Sequence, residues 1–359
     1  MLNLSIAPAQ TIVGPGSLSD IGRIVTQFGR HVFILGGRKG LEVTSDQIGQ
    51  SLAKAGILFD QATFRGECSH TQIAQWAEAA NGYDAMVCIG GGKALDTGKA
   101  AAARVGIPCV TIPTSAATCA AITALVVIHS DSGAYDTGEI LPHCPEATIL
   151  DPEVLVKAPE RLLAAGIADA VGRARETDLA VQVAIPGLHA KLSHSVTVAY
   201  TVPLLELCGE ALAACEEGRT NEAFAWTAST CILGAGLASG LCGAFYRLNI
   251  AHSVAYGLTH LITEQDSLHG EEVALGLLVQ EALQDRSGEK TDALRARLRS
   301  WGLAVTFSGI GWDPNTDGGI VALARLVDRF LDHEHAIDIA VSEKRLCEAI
   351  EQVEADGKG

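Results

Sequence analysis

A chain of 359 residues, 48% hydrophobic and 19% charged, exceeds the roughly 250 to 300 residues at which single cores stop growing, so two globular domains are expected. With only 11 prolines and no long biased tract, that balance excludes disordered, collagen-like and mucin-like architectures, and a formal charge of −16 at pH 7 repels phosphate backbones and anionic lipid, so neither nucleic acid nor membrane is an expected partner. The opening MLNLSIAPAQ lacks a basic segment followed by an apolar one, and no uninterrupted apolar stretch approaches the ~20 residues of a membrane span, so a cytoplasmic protein is expected.

In chain order, HVFILGG reads as a buried strand followed by a helix through residues 45 to 56; AMVCIGGG is a second strand, a helix follows it, and PCVTIPT is a third strand. Strands alternating with helices build parallel βαβ units. Between Ala124 and Asp151 the alternation breaks: VVIHSDSGAY reads as a hairpin excursion and ATILDP as a last strand, with Pro152 and Pro159 marking the exit. From about Glu160, stretches such as RLLAAGIADAVGRARETDLAVQV space their apolar residues three or four apart, the period of helices. The expected fold is an α/β nucleotide-binding domain over residues 1–159 joined to an all-α domain over residues 160–359. Ten cysteines scattered without CxxC spacing read as reduced, mostly buried thiols.

Residues 84–99, DAMVCIGGGKALDTGK, place three glycines between a buried strand and a helical pattern carrying Lys93 and Asp96. Gly91 and Gly92 let a phosphate approach the backbone, and the helix start offers unbonded N–H groups with a favourable dipole; a tight structural turn is the plain alternative. The next loop, IPTSAATCAA, supplies Thr114, Ser115 and Thr118, which suit a phosphate or ribose, or a helix cap. In GGRKG, Gly37 is followed by Arg38 and Lys39 where a dinucleotide fold would carry an acid for the adenosine ribose; basic residues there favour the 2′-phosphate of NADP(H), a solvated basic turn being the alternative. Asp169, His252 and His269 offer one carboxylate and two imidazoles, ligand types that hold zinc or ferrous iron and leave positions open. With 11 histidines in the chain and no HExxH spacing, local sequence does not single this trio out.

The ordered motifs do. IGGGKALDTGK, IPTSAATCAAITAL, LDPEVLVKAPERLLAAGIADA, AHSVAYGLTHL and LHGEEVALGLLVQ resemble, from about Val13 to Leu283, the iron-dependent alcohol dehydrogenase superfamily and its glycerol dehydrogenase group, including the intervals of 83 and 17 residues separating Asp169, His252 and His269. The resemblance implies the architecture shared with dehydroquinate synthase, a divalent ion, zinc ahead of iron, bound by those three residues in a cleft, and hydride transfer between NAD(P) and an alcohol carbon. It further implies that Gly91, Gly92 and Lys93 meet the cofactor phosphates and that Thr114, Thr118, Thr123 and Leu125 line the nicotinamide side. A homo-oligomer, dimer or higher, is the expected assembly.

Where that group carries an aspartate thought to contact the polyol, this chain has Cys119, a poor partner for two hydroxyls. FRGECS, PTSAATCAA and SLHGEEVALGLLVQ look closer to a bacterial hydroxycarboxylate dehydrogenase. Arg173, four residues after Asp169 and so on the same helical face, suits a substrate carboxylate, or else forms a salt bridge to Asp169 or Glu176; Arg175 points elsewhere. Tyr256, four residues after His252, is a candidate proton relay or a packing residue, and His260 is a weaker candidate. A small hydroxy acid or polyol is therefore the expected substrate, with 2-oxo acid reduction favoured over glycerol oxidation; a dehydroquinate synthase-like lyase and a catalytically silent nucleotide-binding protein are the alternatives.

Overall fold

The computed structural model describes residues 4–183, 187–242, 249–262, 267–285, 288–316, 318–331 and 341–358. Eight strands form: β1 (Gln10–Val13), β2 (His31–Gly37), β3 (Leu58–Phe64), β4 (Ala85–Gly90), β5 (Cys109–Pro113), β6 (Leu125–His129), β7 (Tyr135–Ile140) and β8 (Ala147–Leu150). Six of them make one sheet in the order β1-β8-β5-β4-β2-β3, parallel throughout. The other two, β6 and β7, are the antiparallel hairpin.

Helices α1 (Ile21–Val25), α2 (Arg38–Ala55), α3 (His70–Ala80) and α4 (Gly92–Val105) cover both faces of the sheet. Every residue of β4 is buried, which is why AMVCIG reads as an unbroken apolar run without alternation. The alternation survives in the packing: Ile34 and Val87 enter one core with Ile24, Ile48 and Leu52, whereas Phe33, Leu35, Met86 and Cys88 enter the other with Ala77, Ala80 and Ala101.

After β8 the described elements are all helical: α5 (Pro152–Leu155), α6 (Glu160–Val183), α7 (Leu188–Glu216), α8 (Glu222–Ser229), α9 (Ala235–Cys242), α10 (Ile250–Leu258), α11 (His269–Gln284), α12 (Glu289–Ser300), α13 (Gly319–Phe330) and α14 (Glu343–Gly357). A single π turn, Thr230–Gly234, joins α8 to α9. The helical core, with Ile167, Leu204, Phe224 and Leu278, is continuous with the Phe33 side of the sheet. By length and composition alone, Leu188–Glu216 and Glu222–Cys242 are apolar enough to cross a membrane, contrary to the sequence reading. Both helices pack against other helices of this core, and α7 keeps one apolar side exposed.

One local expectation changes, and two strands are present that the sequence did not lead us to expect. The helix expected over 45–56 begins at Arg38, because Gly37 adopts an extended N-cap conformation directly after β2, so Arg38 and Lys39 stand in a first helical turn rather than in a loop. The strand β1 is only four residues long. The edge strand β3, LFDQATF, buries only its last residue, so neither shows the apolar run by which the other strands are recognised. None of the ten cysteines is in a disulfide.

Candidate active site

A cavity of about 710 Å³ runs from the carboxyl ends of β2, β4 and β5 to the helices α6, α10 and α11. This is where a parallel sheet receives ligands.

At the sheet end the lining is largely backbone. Gly90 has φ +141, a conformation L side chains rarely adopt, and it turns the chain from β4 into the N-cap Gly91. Helix α4 starts at Gly92 without a side-chain cap, so its first N–H groups are left for a ligand. A Cβ at Gly91 would meet nothing nearer than Ser115 Oγ at 3.7 Å, and one at Gly37 would meet nothing within 4 Å; an anionic group has room to approach both helix starts. Helix α2 has no acidic residue in its first turn. These features fit a dinucleotide phosphate.

Gly37, Arg38, Lys39, Gly91, Gly92, Lys93, Thr114, Ser115, Thr118, Thr123 and Leu125 all line the cavity. Two of the charged residues expected there are already engaged: Arg38 bonds Glu42 at 2.8 Å, and Lys93 bonds Glu67 at 2.5 Å. Asp96, expected to face the cofactor, also lines the cavity, with its carboxylate engaged within the protein. One carboxylate oxygen pairs with the buried Lys99 at 2.8 Å and the other accepts from the Val127 N–H at 3.0 Å. Lys99, which sequence reasoning missed, also donates to the carbonyls of Ala120, Thr123 and Leu125 at 2.7, 2.9 and 2.8 Å. It thereby fixes the loop after β5 from beneath.

At the helical end three glycines allow backbones to touch. A Cβ on Gly166 would lie 1.8 Å from the Ala116 carbonyl oxygen, one on Gly270 1.9 Å from that of Ala165, and one on Gly276 2.2 Å from that of Ala251. Helix α6 therefore lies against the loop after β5, and α11 lies against both α6 and α10. The result is convergence: Asp169 Oδ1 is 3.3 Å from His252 Nε2 and 4.0 Å from His269 Nε2, and one ligating atom from each of the three lies within 4.8 Å of the others. A tetrahedron with zinc-length bonds has edges of about 3.3 Å, so two nitrogens and an oxygen are gathered at nearly metal-binding separations. Asp169 and His252 are buried, while the His269 side chain keeps 32% exposure on the cavity side. The donor set and the open side fit a divalent ion.

Charges at this end are interdependent. Burial alone would raise the Asp169 carboxyl, but the His252 bond, His269 and Arg173 hold it below its usual range. Burial opposes charge on His252, and Glu176 and Asp169 together outweigh it, moving that imidazole upward. For His269 burial wins over Asp169 and pushes the ring down to about 4, leaving it neutral and free to ligate. Arg173 remains firmly cationic because Glu176 and Asp169 outweigh its burial. Its Nη2 stands 3.4 Å from His252 Nε2. Burial pushes the Cys119 thiol up to about 12, so it is no nucleophile near neutral pH.

Tyr256 stacks on Tyr135 with centroids 3.9 Å apart and lies 5.9 Å from the His269 ring. Burial moves its hydroxyl far above the ordinary phenol value, so it is a neutral donor, never a phenolate base. His260 is exposed, packs near Phe330 and is absent from the cavity lining. Arg175 leans toward Glu281 at 3.9 Å. Two acids at this end were not anticipated as site residues. Glu176 holds His252, and the cavity-lining Glu272 accepts from Ser267 at 2.8 Å.

Residues 8–152 match the family model of iron-containing alcohol dehydrogenases. The chain is 32% identical to a glycerol dehydrogenase of Pseudomonas putida over 312 residues, 84% of this chain and 83% of that one. It is 30% identical to hydroxycarboxylate dehydrogenase A of Escherichia coli K12 over 358 residues, 99% and 98% of the two chains. Among solved structures, a probable glycerol dehydrogenase from Sinorhizobium meliloti superposes with a TM-score of 0.86 at 25% identity, covering 98% of each chain.

Proposed function

The chain belongs to the iron-containing alcohol dehydrogenase family, and on that premise we propose that this oxidoreductase interconverts a small 2-oxo acid and its 2-hydroxy acid using NADP(H). Asp169, His252 and His269 hold the ion, and zinc is favoured because two imidazoles and one carboxylate leave one tetrahedral position open. When bound, the ion polarises the substrate oxygen and the nicotinamide carries the hydride. The division of labour follows the expected boundary near residue 159, with the cofactor held by 1–159 and the ion by 160–359.

The residues of the chain supply the rest. The starts of α2 and α4 receive the cofactor phosphates, with Arg38 and Lys39 at the adenosine end, where a 2′-phosphate finds cations and no first-turn acid. Thr114, Thr118 and Thr123 border the nicotinamide side. Tyr256, stacked on Tyr135, forms an apolar wall that keeps water from the reacting carbon, its hydroxyl a neutral hydrogen-bond donor. Cys119 lines the pocket as a protonated thiol.

One observation carries the substrate assignment: the Arg173 guanidinium lines the cavity beside the His252 ligating nitrogen. A substrate whose oxygen meets the ion therefore brings an adjacent carboxylate onto a fixed cation, which a neutral polyol does not use. Arg173→Ala should raise KM for 2-oxo acids at least tenfold more than KM for neutral aldehydes, measured with NADPH and NADH in parallel. Equal losses would remove the carboxylate assignment and favour glycerol, the substrate named for several relatives. A better kcat/KM with NADH would remove the 2′-phosphate reading. A homo-oligomer is expected from α7, whose exposed Leu188, Leu192, Val198 and Val202 fall on one helical face; light scattering checks it.

A further inference from the structure

We propose that Glu176 is the positioning residue of the metal centre, setting at once the place of helix α10, the orientation of the His252 ring and the nitrogen that ring presents to the ion. The inference rests on the reading of Asp169, His252 and His269 as ligands.

Glu176 follows Asp169 by seven residues on α6, two helical turns, so Asp169, Arg173 and Glu176 share one face of the helix. It is fully buried, and a buried carboxylate needs hydrogen-bond donors. Both donors come from one residue. The His252 backbone N–H donates to Oε1 at 3.0 Å, and His252 Nδ1 lies 2.5 Å from Oε2. The nearest contact to Arg173, 3.8 Å, is an ion pair too long for a hydrogen bond, so Arg173 helps balance the charge of Glu176 while His252 supplies its donors.

Each bond has a separate consequence. His252 is the third residue of α10, which begins after the N-cap Asn249, and its N–H has no acceptor within the helix. Glu176 thus caps α10 from another helix and ties it to α6, the helix of Asp169. The ring bond decides the tautomer. Both ring nitrogens face carboxylates, which only accept; the much shorter contact, to Glu176, places the hydrogen on Nδ1, and in the neutral ring the lone pair is left on Nε2. Nε2 is the atom that faces Asp169 at 3.3 Å. Without Glu176 the ring could turn or shift its hydrogen, and the ion would lose a directed ligand although Asp169, His252 and His269 all remained.

Metal-free protein labelled with ¹⁵N-histidine, examined at pH 9 by long-range ¹H–¹⁵N NMR and assigned against His252→Asn, should show His252 as the Nδ1–H tautomer. In Glu176→Gln that signature should be lost or mixed. Zinc affinity, read by chelator competition, should weaken 10- to 100-fold, while the melting temperature of the metal-free protein stays within a few degrees. A wild-type Nε2–H tautomer overturns the inference without any variant. So does a Glu176→Gln protein that keeps the Nδ1–H tautomer and binds zinc within twofold of wild type. If wild-type protein shows the Nδ1–H tautomer yet binds neither zinc nor ferrous iron, the ligand assignment fails and, with it, the claim that Glu176 serves a metal.

Discussion

At the sheet end of the cleft the surface offered to a ligand is backbone, at Gly37, Gly91 and the first turns of α2 and α4. At the helical end it is side chains, Asp169, His252 and His269, from three helices. The first surface is written in two short stretches of sequence, and each needs little support beyond a strand and a turn. The second surface exists only if α6 touches the loop after β5 at Gly166 and α11 touches α6 and α10 at Gly270 and Gly276, and if Glu176 orients His252. The two ends are expected to fail differently: the sheet end by losing its ligand with the fold intact, the helical end by losing geometry.

Lys99 tests that contrast most severely, because it is a buried side chain on which the backbone surface depends. Lys99→Met would strand the Asp96 carboxylate and leave three carbonyls without their shared donor, and an uncompensated buried charge costs about 3 to 5 kcal/mol. Urea denaturation should show a loss of that size, partly restored in Asp96→Asn/Lys99→Met, with the surviving activity showing a larger rise in cofactor KM than in substrate KM. A loss under ~1 kcal/mol would mean that the loop after β5 holds itself, and the sheet end would be as self-sufficient as its glycines make it look.

A paired substitution breaks the comparison more directly. Gly270→Ala drives a methyl into the Ala165 carbonyl, and overpacking of this kind costs about 1 to 3 kcal/mol; melting temperature and zinc affinity should fall together. Gly91→Ala has room in the folded chain, with φ −88, so stability should hold or rise slightly while KM for NADP(H) rises about tenfold, worth about 1.4 kcal/mol, as the methyl keeps the phosphate from the helix start. If both variants lose stability equally, the sheet end is as tightly packed as the helical one.

The same contrast explains what could be read beforehand. IGGGKALDTGK declared a phosphate turn because strand, glycines and helix start are adjacent, and the change of period near Glu160 declared the helical half. The hairpin of β6 and β7 was legible from its alternation and its turn residues. Asp169, His252 and His269 stand 83 and 17 residues apart, and no local rule joins positions on different helices; only the order of motifs did. Asp96 reads as ligand-facing because it follows a glycine turn, and it does border the cavity; the lysine three residues on, in an alanine-rich helix, was the sign of its internal pair. Glu176 was within reach, since an acid two turns from a metal-binding aspartate lies on the same helical face, but its partner is set by tertiary packing. The short β1 and the polar edge strand β3 gave no period to detect.

The smallest effect concerns Glu272, in the first turn of α11 at the helical end of the cavity. Burial raises its carboxyl to about 7, with the Ser267 bond opposing. In the unfolded chain such a group titrates near 4.5, so between those values the folded state holds a proton that the unfolded state has lost. Stability must then fall as pH rises through that window, and the loss is complete above pH 7. Because the group borders a cavity open to water, the loss should be on the order of 1 kcal/mol. Glu272→Gln should be more stable than wild type at pH 8, equal to it at pH 4, and should bind NADP(H) more tightly at pH 8, since Lys93 and the start of α4 would no longer share the cavity with an ionised carboxylate. Parallel stability curves for the two proteins would show that Glu272 is already ionised in the folded chain. The helical end of the cavity would then be wet enough at Glu272 to hold an ionised carboxylate.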